Sequence, residues 1–262
     1  MHSAADRFLR CPYHAKVMNT LDATSSKTAS SGAGSVVKVD MASLSEAPQG
    51  DLRVLHADAH LLVLDKPAGL LCVPGRGDDK QDCLARRAQQ LYPDALVVHR
   101  LDMATSGLWV MARGAAAQRR LSHAFATRAV RKRYVAVVAG LPVDAQAADT
   151  SWRSIDLPLI VDWPQRPRSK VDPVHGKPSL TRWRLMSSDG RHARLELEPH
   201  TGRSHQLRVH LQAIGCPIVG DTLYASADVA ASAGRLLLHA SAITVPHPAS
   251  DMPMHFESPP PF

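Results

Sequence analysis

The stretch HRLDMATSGLWVMAR, His99 to Arg113, sets one carboxylic acid, Asp102, between an arginine and a Thr-Ser-Gly turn. Two roles fit an acid there. As a turn or capping residue it accepts backbone N–H bonds from the residues that follow. As a reactive group it attacks an electrophilic sugar carbon or removes a proton, and for either it must be negatively charged and aimed, a state that cations such as Arg100 favour. Its surroundings are strongly positive. No Asp or Glu occurs from Met103 to Val143, while Arg113, Arg119, Arg120, Arg128, Arg131, Lys132 and Arg133 all fall in that span. Taken alone, such a run equally suits a solvated basic helix face.

Other side chains divide in the same way. Tyr134, in RKRYVAVV, suits a strand aromatic packed into a core. Arg203 follows Thr201-Gly202 at the start of a helical segment, where a cation opposes the helix macrodipole and so needs a reason other than helix stability. His205 and His210 lie five apart, share no helix face and lack carboxylate or Cys partners, so they read as structural or as contacts to a bound partner and no metal site is expected. PGRGDDK, from Pro74 to Lys80, lacks both the Walker spacing and the G-x-G-x-x-G fingerprint and reads as a surface loop.

Read as a whole, HRLDMATSGL resembles the signature of the RluA family of RNA pseudouridine synthases. LDKPAGL, RKRYVAVV, PHTGRSHQLRVHL with GCPIVGD, and RLLLHA agree in order, and the resemblance spans residues 52–262. LPLIVDWPQRPRSK and DTLYASADV are similar to members that modify both a tRNA anticodon loop and a 23S rRNA hairpin loop. The resemblance implies that Asp102 acts on the ribose of a target uridine while uracil is detached from C1′, rotated and rejoined through C5. It further implies that Tyr134 stacks on the flipped uracil and helps remove the C5 proton, that Arg203 forms an ion pair with Asp102, and that Arg100 fills the space left by the base. Neither cofactor nor metal is implied. Two rival classes are an RNA-binding protein without catalysis, against which the joint presence of Asp102, Tyr134 and Arg203 argues, and a nucleoside hydrolase releasing free base.

Around these residues the elements follow from pattern. HLLVLDKP is an apolar run closed by Lys-Pro and predicts a strand; LVVHRLD and GLWVMAR predict two more, joined through Met103 to Ser106, so that Asp102 sits on a loop held by rigid elements. DCLARRAQQLYPD and AAAQRRLSHAFATRAV have helical spacing, RKRYVAVVAG and ARLELEP read as strands, and SHQLRVHLQAIG predicts a helix capped by Ser204 and stopped by Gly215. Strands and helices mix without regular alternation, which favours an α+β fold with a central, mostly antiparallel sheet and a cleft between two halves. Residues 1–50, rich in Ser, Ala, Thr and Gly, predict a disordered tail, leaving 51–262 as the catalytic domain.

Composition bounds the partners. Thirty-one Lys and Arg against 24 Asp and Glu give +7 and a pI near 9.5, which favours a polyanion such as nucleic acid; tRNA and 23S rRNA are the partners the resemblance implies. RNA contacts are expected from Arg100, Arg119, Arg120, Arg128, Arg131, Lys132 and Arg133. The four cysteines have no metal-ligand or disulfide spacing and read as reduced thiols, and no run reaches the ~18 apolar residues of a membrane span. A cytoplasmic monomer without membrane attachment is expected.

Overall fold

The computed structural model describes residues 37–38, 52–142 and 150–262. The tail expected over residues 1–50 lies outside the described residues apart from Val37–Lys38. In chain order the strands are β1 (Val37–Lys38), β2 (Arg53–Ala57), β3 (Leu61–Lys66), β4 (Ala95–Val97), β5 (Ser106–Arg113), β6 (Arg131–Ala139), β7 (Arg153–Asp156), β8 (Leu159–Val161), β9 (Ser169–Val171), β10 (Leu180–Ser188), β11 (His192–Pro199), β12 (Leu238–Pro246) and β13 (Pro253–Glu257). The helices are α1 (Leu84–Leu91), α2 (Gly114–Ala126), α3 (Gln206–Ala213) and α4 (Ala227–Ala231). One large sheet runs β2-β3-β5-β12-β6-β11-β10-β7, with β4 on β5 and β13 on β12; β8 and β9 form a separate hairpin. The sheet is mostly antiparallel, in an α+β arrangement.

β3 and β5 are continuous apolar runs because both of their faces are covered. Leu61 and Val63 enter one core with Val110 and Leu121 of α2, while Leu62 and Leu64 enter another with Trp109 and Leu84 of α1. β11 alternates instead. Leu195 and Leu197 point into the core that Leu207 and Leu211 of α3 close, and Glu196 and Glu198 point away from it.

The two halves of the sheet meet where β5 runs parallel to β12, through Ser106 opposite His239 and Gly107 opposite Ala240. Gly107 has φ 103°, and a Cβ there would lie 2.3 Å from the Ala240 carbonyl oxygen. The glycine of the TSG motif is thus a requirement of this seam, where backbones approach too closely for any side chain. A 2.8 Å hydrogen bond between Ser106 Oγ and Nδ1 of buried His239 ties the same two strands.

Two boundaries differ from expectation. The strand expected over LVVHRLD stops at Val97, because His99 turns back so that its ring bonds to the Val110 amide of the neighbouring strand. The helix expected from Ser204 begins at Gln206, because the Gln206 side chain closes the preceding turn: its Oε1 accepts from the Arg203 N–H (3.0 Å) and from Thr201 Oγ1 (2.7 Å).

Candidate active site

A crevice of about 670 Å³ opens between segments 99–105 and 199–208, with Lys132 and Tyr134 of β6 also lining it. The loop carrying Asp102 is pinned at nearly every step. His99 Nε2 accepts from the Val110 N–H (3.0 Å), and its ring stacks on Phe125 with centroids 4.4 Å apart. Burial, helped by the charge of Lys132, pushes the His99 pKa down to about 3, so the ring is neutral, as its acceptor role requires. The Leu101 N–H donates to Cys72 Sγ (3.3 Å), and the Met103 carbonyl accepts from the Gly69 N–H (2.9 Å).

Lys66, only 1% exposed, ties the same loop from below. Its Nζ donates to the carbonyls of Met103 (2.9 Å), Pro67 (2.8 Å) and Leu70 (2.7 Å). Burial lowers its pKa to about 8, and the three carbonyls satisfy its three donors. What these ties leave free is the Asp102 side chain, 28% exposed to the crevice.

Facing it is Arg208 of α3. Its Nε and Nη2 make a bidentate pair with buried Asp221 at 2.8 and 2.7 Å, and its Nη1 lies 3.8 Å from Asp102 Oδ2. Burial opposes the guanidinium charge, but Asp221 more than offsets this and the Arg208 pKa is raised. Asp221 is itself held by the N–H groups of Leu223 (2.9 Å) and Tyr224 (3.1 Å). His205 Nε2 lies 4.0 Å from Asp102 Oδ1, while its Nδ1 is 2.7 Å from the Tyr224 hydroxyl, which accepts the Ser169 N–H at 2.7 Å. Burial lowers the His205 pKa, so a neutral imidazole is favoured beside the acid.

The ion pair expected of Arg203 is made instead by Arg208. Arg203 is exposed at the rim, with its Nε and Nη2 each 3.4 Å from the Pro178 carbonyl, because the turn before α3 directs it outward. Tyr134 lines the crevice, packed against the cores of both halves at the seam. Burial, then the negative charge of Asp102, pushes its phenol well above the usual range, so it keeps its proton and offers the site a flat ring and a neutral hydroxyl.

The other cations fall into two groups. Arg100, Arg128 and Lys132 line the crevice, and a Cβ on Gly202 would lie 4.0 Å from Lys132 Nζ across it. Arg133, one residue on, points to the opposite face of the sheet, 3.7 and 3.8 Å from Glu196 and Glu198, with its guanidinium 4.5 Å from the Trp152 ring centroid. Arg131 alternates to that same side. Arg119 and Arg120 lie on α2 outside the crevice, with Arg120 bonded to the Pro248 carbonyl and 3.3 Å from Asp251. Asp102 is the one acidic side chain lining the crevice among the described residues.

Arg208, Asp221, Lys66 and Tyr224 were not singled out by sequence. A usable signal existed for the first pair: an arginine on a helix otherwise carrying Leu207 and Leu211 inward must find a buried acid, and GCPIVGD supplies one. His210 is structural, bonded to Thr181 Oγ1 (2.9 Å) and the Leu157 carbonyl (3.0 Å). Among the described residues no group of three or more His, Cys, Asp or Glu is placed to hold a metal ion, and no helix is long and apolar enough to cross a membrane.

This architecture and crevice match known proteins. A family model described as RNA pseudouridylate synthase matches residues 60–213. The dual-specificity RNA pseudouridine synthase RluA of Escherichia coli K12 is 48% identical over 209 residues, covering 79% of this chain and 93% of that protein. The protein of the same name from Yersinia pestis is 46% identical over 205 residues, covering 78% and 97%. In fold, the chain is similar to human RNA pseudouridylate synthase domain containing 4, with a TM-score of 0.63 at 26% identity, over 80% of this chain and 88% of that one. It is also similar to the human domain-containing protein 1 of that series, with a TM-score of 0.66 at 24% identity, over 84% and 87%. The chain belongs to the RNA pseudouridine synthase family and is an enzyme that isomerises uridine in RNA to pseudouridine.

Proposed function

We propose that Asp102 is the reactive carboxylate, acting at the ribose of a uridine flipped into the crevice. The N1–C1′ bond breaks, uracil turns against the Tyr134 ring, a C5–C1′ bond forms, and the proton lost from C5 is balanced by one that N1 takes up. The observation that carries this is a lone acid facing a guanidinium fixed by Asp221, in a crevice whose other charged lining residues are cations. That charge pattern suits a polyanion whose sugar must reach a carboxylate. The neutral Tyr134 supplies stacking, and its hydroxyl can relay the C5 proton by handing its own in the same step to a base, either water or the Asp102 carboxylate that shares the crevice. No cofactor takes part in this scheme.

The substrates we propose are a tRNA anticodon loop and a 23S rRNA hairpin loop, where a weakly stacked uridine flips at low cost. The resemblance of LPLIVDWPQRPRSK to members with both substrates supports this, as does the dual specificity in the relatives' names. Asp102→Asn is expected to abolish pseudouridine formation, read by carbodiimide labelling of RNA, and to leave RNA affinity within a few fold, since few phosphate contacts are lost. Parent-like turnover by this variant would remove Asp102 from the mechanism.

A further inference from the structure

The β8–β9 hairpin stands apart from the main sheet and is fixed to the active-site helix. Its Leu159 and Val171 pack with Val209 of α3 and with Tyr224, and the Ser169 N–H donates to the Tyr224 hydroxyl (2.7 Å), which in turn meets His205. The tip is closed by backbone bonds from the Asp162 N–H to the Arg168 carbonyl (2.9 Å) and from the Arg168 N–H to the Gln165 carbonyl (3.0 Å). On this rigid tip sits Trp163, 65% exposed. The Arg166 guanidinium lies 4.2 Å from its ring centroid, so one face of the indole is covered and the other is bare. Arg168 lies 5.4 Å from the Tyr224 ring centroid, while Lys170, exposed beside it, is taken up by Asp162 at 3.6 Å, so Arg166 and Arg168 are the cations the tip offers a partner.

A bare aromatic face flanked by cations suits a nucleobase joined to phosphates; an apolar protein surface would leave the cations without acids. The base of the hairpin adjoins the crevice: Leu159 exchanges backbone bonds with Lys177 (3.0 and 2.8 Å), and rim residue Arg203 rests on the carbonyl of the next residue, Pro178. We propose that this tip is a second RNA contact: the free face of Trp163 stacks on an unstacked base in the strand flanking the target uridine, with Arg166 and Arg168 on neighbouring phosphates. This rests on the reading of the crevice as the uridine site.

Tryptophan fluorescence tests it with the full chain and an RNA stem-loop bearing the target uridine. Trp109 and Trp183 are buried and Trp152 is partly buried against Arg133, Arg182 and Arg184, so Trp163 is the indole most open to a bound base. RNA should quench the emission of the parent protein, and Trp163→Ala should weaken binding roughly ten-fold while losing most of the quench. Arg166→Glu should weaken binding and flatten its salt dependence by about one counterion. An alanine variant that binds as tightly as the parent, or a parent emission that RNA leaves unchanged, overturns the proposal. Pseudouridine formation on the same RNA is scored separately. Normal turnover without any Trp163 effect overturns the hairpin contact alone, whereas Trp163-dependent binding without turnover supports that contact and overturns the catalytic reading.

Discussion

At the residue scale, Asp102 is placed by charge on one side and by backbone on the other. Arg208 can face it only because two of its nitrogens are already held by Asp221, leaving Nη1 pointing in a fixed direction. A lysine, with a single nitrogen on a flexible stem, cannot serve both acids. Arg208→Lys should therefore lower kcat on the order of 10²-fold through misplacement of the reacting carboxylate, with KM changed only a few fold. Arg203→Ala should do the reverse, raising KM and leaving kcat close to the parent. Single-turnover rates at saturating RNA separate the two, and a parent-like kcat for Arg208→Lys would contradict the arrangement. Asp102 was legible in the sequence through the family signature HRLDMATSGL, since its flanks and basic surroundings alone equally suit a turn residue on a solvated face. Its partner was not, because both arginines lie in GRSHQLR and the choice depends on His205 at φ 55°, a left-handed backbone that a histidine does not advertise.

At the scale of elements, α1, α2, β3, β5 and β6 were legible because their apolar spacing is set by cores that local pattern reflects. The seam was not: β5 and β12 pair through residues more than a hundred positions apart, and no local period encodes that. The end of α2 shows a cost tied to the site. Arg128, at φ 62°, occupies the position after the helix where glycine is favoured, with the Arg128 N–H bonded to the Phe125 carbonyl (3.3 Å) and the Ala129 N–H to the Ala124 carbonyl (2.9 Å). The strain aims a cation into the crevice mouth. Arg128→Gly should thus stabilise the protein by about 0.5–1 kcal/mol, seen as a higher Tm, while weakening RNA binding several fold and flattening its salt dependence. A variant that loses stability along with affinity would show that the strain is not what the arginine's position costs.

At the scale of the whole molecule, the net charge of +7 pointed to a polyanion, but charge alone could not say which arginines reach it. Arg133 and Arg120 are taken up by carboxylates away from the crevice, whereas Arg100, Arg128 and Lys132 face it. The two halves also share an acid sensitivity. His99 in the first half and His210 in the second are held neutral, their pKa values pushed down by burial to about 3 and about 4. An unfolded histidine protonates near pH 6.5, so below that pH the unfolded chain binds protons the folded chain refuses, and stability falls as the pH drops from about 6.5 toward 4. Asp58 does not account for that window. Hydrogen bonds from His56 and the backbone outweigh its burial and lower its pKa to about 2, so its contribution is lost only below about pH 4. The share of His210 is about 3 kcal/mol at the acid end. His210→Gln, which keeps a donor for the Leu157 carbonyl but cannot titrate, should lose less stability than the parent between pH 7 and pH 4.5 in denaturant unfolding, although it is less stable at pH 7. Parallel losses in the two proteins would place the acid sensitivity elsewhere, with His99 the next side chain to replace.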